Sequence, residues 1–163
     1  MKMLVRNKIM EPLNILLVGN NPIELSAVLE KLNQLRSRKL VINIAFDVKT
    51  ILERLATFNP NFILIDDNIG RRELVDTVNK LSTNRKTRNV PITVLKNSNY
   101  HEALASPGIL DYILKQNIST DAIYNMVKNT LKFKRTQQYL LDAYKQRKKL
   151  IMKIQKRSLN LVS

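Results

Sequence analysis

The sequence predicts an α/β fold built on a five-stranded parallel sheet, and two patterns support this prediction. Short apolar runs without helical spacing occur five times, and segments whose apolar residues recur every three or four positions separate them. Strands that alternate with helices form right-handed βαβ units, so helices cover both faces of a parallel sheet. We therefore expect a three-layer sandwich whose functional groups collect at the carboxyl ends of the strands.

Each predicted strand is a short run of large apolar residues between polar or turn-forming residues. The five runs cover residues 13–18, 41–46, 62–65, 90–95 and 109–114. The first of them, LNILLV, is typical of a strand that is buried on both faces. Pro91 lies at the start of the fourth run, where a missing N–H is tolerated.

The helices are predicted from their caps and from the spacing of their apolar residues. The first begins with Asn21 as N-cap, Pro22 at the first helical position and Glu24 three residues after the cap. Asp47 is the predicted cap of the second helix, and a short helix is expected over residues 101–105. Helical spacing links Ile23, Ala27, Val28, Leu32 and Leu35 in the first helix, Ile51, Leu52 and Leu55 in the second, and Leu74, Val75, Val78 and Leu81 in the third.

Composition excludes several classes of function. The 163 residues include no cysteine, which excludes disulfides and thiolate chemistry, and only three glycines, which leaves no glycine-rich phosphate loop. The one histidine, His101, lies in a predicted loop or weak helix and is not expected to act as a general base. Because the chain has neither a glycine-rich phosphate loop nor a histidine placed to act as a base, we do not expect an enzyme. No apolar run is long enough to span a bilayer, and we expect a cytoplasmic protein.

Mostly polar residues stand directly after four of the predicted strands. They are Gly19 and Asn20 after the first strand, Asp66, Asp67 and Asn68 after the third, Lys96 and Asn97 after the fourth, and Lys115 after the fifth. Because the carboxyl ends of parallel strands meet at one edge of a sheet, these residues are expected to line a charged crevice.

The order and spacing of these strand ends resemble the receiver domain of two-component response regulators over residues 13–131. In that family the first strand ends in an acidic pair that binds a divalent metal, and the third ends in the phosphoacceptor aspartate. Here ILLVGNNP stands where ILLVDDNP is usual, and NPNFILID places Asp66 at the phosphoacceptor position. VPITVLKN places Lys96 at the position of a Thr or Ser, and DYILKQN places Lys115 at that of a lysine. Tyr112 matches the aromatic switch position.

The resemblance implies a flavodoxin-like (βα)5 fold and a phosphorelay signalling module that meets a histidine kinase or a downstream effector. Two departures from the family pattern indicate a partly dismantled pocket. First, Gly19 and Asn20 replace the acidic metal pair. Magnesium is usually anchored by one or two carboxylates, so we expect no resident cofactor and only weak magnesium binding through Asp66 and Asn20. The side chain of Asp67 is expected to point away from Asp66, because residues alternate along a strand.

The second departure is Lys96, which replaces a hydroxyl residue. Either Lys96 and Lys115 both approach Asp66 and keep it ionised without metal, or Lys96 points into water. The sequence also leaves two outcomes for Asp66, a phosphoacceptor that still works and a pseudo-receiver that serves as a protein-binding surface. We favour the pseudo-receiver.

The last predicted helix begins near Ser119 as N-cap, with Asp121 in its first turn, and continues without Gly or Pro. We expect a receiver-like domain over residues 12–131 and a basic helical extension over residues 132–163, which carries +9 of the net charge of +15. A leaky heptad predicts a homodimeric coiled coil or a docking helix. It follows Ile123, Met126, Thr130, Phe133, Gln137, Leu140, Tyr144, Arg147, Ile151, Ile154, Ser158 and Leu161.

A basic helix also permits contact with polyanions, and a non-specific nucleic-acid-binding regulator is therefore the rival hypothesis. The residues expected to contact a polyanion or a partner are Lys145, Arg147, Lys148, Lys149, Lys153, Lys156 and Arg157. Membrane insertion is not expected, because Lys and Arg are spread around the helix. A frayed, solvated helix without a partner is the remaining alternative.

Overall fold

The computed structural model describes residues 12–36, 39–97 and 108–162. The strands are β1 (Leu13–Val18), β2 (Leu40–Ala45), β3 (Phe62–Asp66), β4 (Ile92–Lys96) and β5 (Asp111–Leu114). The helices are α1 (Pro22–Asn33), α2 (Val48–Leu55), α3 (Arg71–Thr83) and α4 (Thr120–Val162), and 3₁₀ turns cover Asp67–Ile69 and Lys115–Asn117. The chain divides into two compact units, of which the first ends at Asn125 and the second begins at Met126.

All strands pair in parallel in one sheet of order β2-β1-β3-β4-β5, which confirms the predicted flavodoxin-like topology. The predicted strand bounds agree closely with the observed ones at β1 and are two residues early at the start of β4 and β5. Pro91 cannot donate a ladder hydrogen bond, and β4 begins directly after it. β3 extends one residue further than predicted and so includes Asp66.

The core lies around the two central strands, β1 and β3. Their side chains are almost entirely excluded from solvent, with Ile15, Leu16 and Ile63 at 0% exposure. A strand that is covered by helices on both faces has no solvent side, which is why these two sequences are apolar except at Asn14 and Asp66.

The N-cap of α1 is confirmed, and the predicted apolar face of this helix is correct at Val28 and Leu32 but wrong at Ile23 and Ala27. Asn21 Oδ1 accepts hydrogen bonds from the backbone N–H groups of Ile23 (3.0 Å) and Glu24 (3.4 Å). Ile23 is 82% exposed, and Ala27 is exposed as well. The buried stripe adds Leu25 to the predicted Val28 and Leu32. Its spacing is also helical, and it places Leu25 against Gly19, whose lack of a side chain leaves room for the leucine.

The cap of α2 and the apolar cores of α2 and α3 are largely as predicted. The backbone N–H of Thr50 donates to Asp47 Oδ1 (2.7 Å), and the Thr50 hydroxyl completes a capping box. Ile51 and Leu55 are buried in α2, whereas Leu52 is 49% exposed. In α3 the buried apolar residues are Leu74, Val78 and Leu81. The predicted helix over 101–105 and His101 lie outside the described residues.

The predicted start of α4 is confirmed, because Ser119 Oγ accepts a hydrogen bond from the Ala122 backbone N–H (3.1 Å). In the second unit, every described residue from Lys132 onward is exposed. No helix in the described part of the chain combines the length and the apolar character that a membrane span requires.

Candidate functional site: a lysine-centred carboxylate cluster

The register of the sheet brings the predicted site residues to one edge. Asp66 ends β3, where it pairs with Leu95, and Lys96 ends β4, where it pairs with Leu114. Lys115 follows directly after β5, and Gly19 follows directly after β1. These four positions therefore lie at the same end of the sheet, as expected from the topology.

Lys115 is the centre of this crevice. Its ammonium forms ion pairs with Asp66 Oδ2 and Glu24 Oε2 and donates a hydrogen bond to Asn97 Oδ1 (3.2 Å). A lysine ammonium has three donors, and here three oxygens from three different elements receive them. The ammonium thus joins three separate parts of the chain in one cluster.

Asp66 is almost fully buried, with 1% of its surface exposed, and its second oxygen is also occupied. Asp66 Oδ1 accepts hydrogen bonds from the Asn68 backbone N–H (3.0 Å) and from Asn97 Nδ2 (3.3 Å). A buried carboxylate costs free energy unless it is paired and hydrogen-bonded. Both conditions are met at Asp66.

The predicted orientation of Asp67 is wrong. Asp67 Oδ1 accepts hydrogen bonds from the backbone N–H of Asn97 (3.1 Å) and from its side-chain amide, the same amide that donates to Asp66. β3 ends at Asp66 and a 3₁₀ turn begins at Asp67, so the alternation of a strand no longer applies there. Asn97 consequently joins the two carboxylates.

Lys96 adopts an arrangement that neither sequence alternative described. Its Nζ lies 5.5 Å from the centroid of the Tyr112 ring, within the range of a cation–π contact. Both residues are half-buried. Lys115 supplies the ion pair to Asp66, and Lys96 contacts Tyr112, the residue predicted at the aromatic switch position.

Gly19 and Asn20, which stand at the predicted positions of the family's acidic pair, differ from one another in their surroundings. Gly19 is buried, and a Cβ atom at this position would lie 2.6 Å from Leu25 Cδ2 and 3.3 Å from Asp66 Cβ. Asn20 is exposed. A side chain at the first position therefore requires the buried Leu25 to move, whereas the second position is exposed.

Glu24 is the site residue that sequence reasoning missed. Its place in the first turn of α1 indicates a cap, but its carboxylate binds Lys115 and accepts a hydrogen bond from Asn68 Nδ2 (3.2 Å). No local pattern indicates an ion pair with a residue so distant in the sequence. Asn97 lies in the crevice as predicted, and nothing in its local sequence indicates its contacts with Asp66, Asp67 and Lys115.

The residues of the crevice fit a divalent cation poorly while Lys115 holds its present position. Magnesium requires oxygen ligands, and Lys115 binds one oxygen each of Asp66, Glu24 and Asn97. Within residues 12–36, 39–97 and 108–162, no three His, Cys, Asp or Glu side chains are grouped so that they could hold a metal ion.

Two groups in the crevice have raised pKa values. Burial on its own lowers the pKa of Lys115, but the hydrogen bonds and charges of Asp66 and Glu24 outweigh it and raise the pKa above the ordinary 10.5. Burial raises the pKa of Tyr112 above the ordinary 10.0. In both cases the unfolded chain loses its proton at lower pH than the folded chain, so the folded state is favoured below the ordinary values.

We therefore expect the free energy of unfolding to fall as the pH rises above about 10, because these groups then deprotonate first in the unfolded chain. Urea unfolding midpoints from about pH 8 to about pH 12 measure this decline. Tyr112→Phe should remove the part of this decline that occurs at lower pH, and Lys115→Met should remove the part that occurs at higher pH. Tyr139→Phe, at a tyrosine that is 73% exposed, is the matched control and should leave the profile unchanged. Identical profiles for all three variants would contradict the assignment.

The basic residues of the extension belong to the second unit. Lys145, Arg147, Lys148, Lys149, Lys153, Lys156 and Arg157 all lie in α4 and are exposed, as the sequence predicts for a surface that contacts a polyanion or a partner. Exposure alone does not identify that partner, so the candidates must be distinguished by the charge pattern of the helix.

Comparison with known proteins gives a consistent picture of the fold. No family model matches the chain, and no curated protein matches it closely. Among solved structures, it is similar to the signal receiver domain of an HD domain-containing protein from Pseudomonas fluorescens Pf-5, with 14% identity, a TM-score of 0.63 and coverage of 77% of this chain and 99% of that one. It is also similar to a response regulator receiver modulated diguanylate cyclase from Pelobacter carbinolicus, with 20% identity, a TM-score of 0.59 and coverage of 77% and 97%.

A third similar structure is the receiver domain of a sensor histidine kinase from Pseudomonas aeruginosa PAO1, which has a magnesium ion coordinated in its active site cleft. The identity is 17%, the TM-score is 0.60 and the coverage is 75% of this chain and 99% of that one. At these identities the likeness concerns the fold. The sheet order, the strand-end cluster and these neighbours together show that the chain has the fold of a response-regulator receiver domain.

Proposed function

We propose that this chain is a receiver-like signalling module with a degenerate phosphorylation pocket, which acts by binding other proteins. The observation that carries the proposal is the position of the Lys115 ammonium, which bridges Asp66 and Glu24 inside the crevice. This arrangement satisfies the buried carboxylate from within the chain. Lys115 then balances the negative charge of Asp66, and this balance requires neither a metal ion nor a phosphoryl group.

The surroundings of Asp66 also oppose phosphoryl transfer to it. Both of its oxygens are engaged by donors, so attack on a phosphoryl group requires that these contacts break. Glu24 brings a second negative charge to the crevice, which repels an anionic phosphoryl donor. Catalysis of phosphoryl transfer depends mainly on positioning and charge stabilisation, and the crevice offers one lysine for that purpose.

The experiment is incubation of the full chain with acetyl phosphate and magnesium, followed by intact-mass spectrometry. We expect no phosphoryl adduct on the wild-type chain, and the same spectrum for Asp66→Ala. An adduct that forms on the wild type and is lost in Asp66→Ala would overturn the proposal, and it would make the chain a functional phosphoacceptor receiver.

The partner that we propose is a signalling protein, either a histidine kinase or a downstream effector. Two of the similar structures come from a sensor histidine kinase and a diguanylate cyclase, which are proteins of these classes. The rival function is nucleic-acid binding through the basic helix. Titration of labelled duplex and single-stranded DNA at two salt concentrations separates the two, because non-specific binding falls steeply with salt. Tight, sequence-selective binding that survives physiological salt would support the rival.

A further inference from the structure

The second unit presents an exposed apolar stripe along α4. We define this stripe as Phe133, Leu140, Tyr144, Ile151, Ile154 and Leu161, which recur at combinations of three and four residues and so lie on one helix face. Their exposed fractions run from 44% at Phe133 to 85% at Leu161. Leu141 and Leu150 widen the stripe on either side and are also exposed.

The stripe is large enough to be an interface. At 1.5 Å per residue, the stretch from Phe133 to Leu161 is about 40 Å long, which corresponds to about four heptads. Soluble monomers rarely expose contiguous apolar patches beyond about 300–600 Å², and a stable interface buries about 800 Å² on each partner. A stripe of six large side chains with apolar flanks is therefore typical of a surface that another helix covers.

The charges around the stripe decide which helix covers it. We define a basic flank as Lys134, Arg147, Lys148 and Arg157, which lie within or directly beside the stripe by their helical positions. The only acidic residue of the sequence after Leu131 is Asp142, and it falls on the opposite side of the helix. The interface therefore offers positive charge and no negative charge of its own.

A second copy of the chain would bring one basic flank against another, and Arg147 would lie between the two helices without an acid to pair with. A membrane surface would meet Arg147 in the middle of the apolar stripe. A nucleic acid would make no use of the stripe. An acidic partner helix pairs with both features, because its apolar residues cover the stripe and its Glu or Asp residues meet the basic flank.

We infer that α4 docks an acidic amphipathic helix of a different protein, through the apolar stripe and the basic flank. This inference rests on the proposed function, since it specifies how the module binds another protein. It names the chemistry of the partner: apolar residues in a heptad pattern with carboxylates beside them. The remaining basic residues on the outer face add a long-range attraction that raises the rate of encounter.

The test uses the full chain and two synthetic peptides of about four heptads, with leucine at the seam and either glutamate or lysine at the flanking positions. Fluorescence anisotropy at physiological salt measures their binding. We expect the glutamate peptide to bind and the lysine peptide to bind at least about tenfold more weakly. Failure of the glutamate peptide to bind would overturn the inference.

Matched variants separate docking from general charge attraction. Arg147→Glu with Lys148→Glu reverses two charges of the basic flank, and Lys149→Glu with Lys153→Glu makes the same charge change on the outer face. We expect the first pair to weaken the glutamate peptide by about tenfold or more and the second pair to weaken it by about twofold at most. Leu140→Asp with Ile151→Asp should weaken it about a hundredfold, with helicity checked by circular dichroism. Equal effects of the two charge pairs would show non-specific attraction and overturn the inference.

Three further measurements test the other candidate partners of the stripe, which are a second copy of the chain, a membrane surface and a nucleic acid. Sedimentation of the full chain measures whether it forms a dimer. A dimer that Ile151→Asp dissociates would overturn the inference, because a second copy of the chain would then cover the apolar stripe. Binding to phosphatidylserine vesicles or to duplex DNA that displaces the glutamate peptide would overturn it as well. None of these results depends on phosphorylation of Asp66, so failure here and failure of the proposed function are distinguishable.

Discussion

Replacement of Lys115 by methionine is expected to lower the free energy of unfolding by about 3 kcal/mol, because it leaves a buried carboxylate without its countercharge. Asp66 is 1% exposed, and Lys115 is the residue that forms an ion pair with it among the described residues. The backbone of Asn68 and the amide of Asn97 remain as hydrogen-bond donors, but neither carries a charge. Urea unfolding at neutral pH measures the loss.

The cause of this loss can be separated from the loss of packing. If the unpaired charge of Asp66 is responsible, then Asp66→Asn added to Lys115→Met should restore part of the stability, although it removes a second native group. Lys80→Met, at an exposed lysine of α3, is the control for the substitution itself and should change stability by about 0.5 kcal/mol or less. A Lys115→Met variant as stable as the control would show that the ion pair contributes little.

Gly19→Asp, which puts back one carboxylate of the missing acidic pair, is expected to destabilise the fold by about 3 kcal/mol or more. The new Cβ atom would lie 2.6 Å from Leu25 Cδ2, and Leu25 is a core residue with 2% exposure. Overpacking of this kind typically costs about 1–3 kcal/mol. The added carboxylate would also stand next to Asp66, so like charges would repel each other in a buried place.

Asn20→Asp is the matched control, since it restores the other carboxylate of the pair at an exposed position. We expect this change to alter the free energy of unfolding by about 0.5 kcal/mol or less. Gly19→Ala carries the steric overlap without the charge, and its midpoint should fall between those of Asn20→Asp and Gly19→Asp. Equal stability of Gly19→Asp and Asn20→Asp would contradict the packing that we describe around Gly19.

The parts of the fold that depend on local sequence were predictable. The caps at Asn21, Asp47 and Ser119 each rely on a side chain that bonds to a backbone N–H two or three residues later, so the pattern and the structure are close in the sequence. The bounds of β1 follow from the polar residues on both sides of an apolar run. The parallel topology follows from the alternation of strands and helices.

The site was predictable at the level of positions but not of contacts. Asp66 and Lys115 were placed together because parallel strands end at one edge. The role of Glu24 depends on an ion pair between residues 91 positions apart, and no local pattern encodes such a distance. The cation–π contact of Lys96 depends on how the neighbouring strands β4 and β5 project their side chains. A lysine at a strand end also has several competing partners, so its sequence position does not select one of them.

The ion pair of Lys115 has a consequence for local unfolding. Among the described residues, β5 pairs with β4 alone and so lies at the side of the sheet, and such edge strands are often the first part of a sheet to open. Lys115 follows β5 directly. If β5 separates from the sheet and carries Lys115 with it, Asp66 at the end of the central strand β3 loses its countercharge. The free energy needed to open the edge then includes the cost of an unpaired charge in the core. The carboxylate cluster thereby ties the edge of the sheet to its interior, and the two are expected to exchange their amide hydrogens more nearly as one cooperative unit.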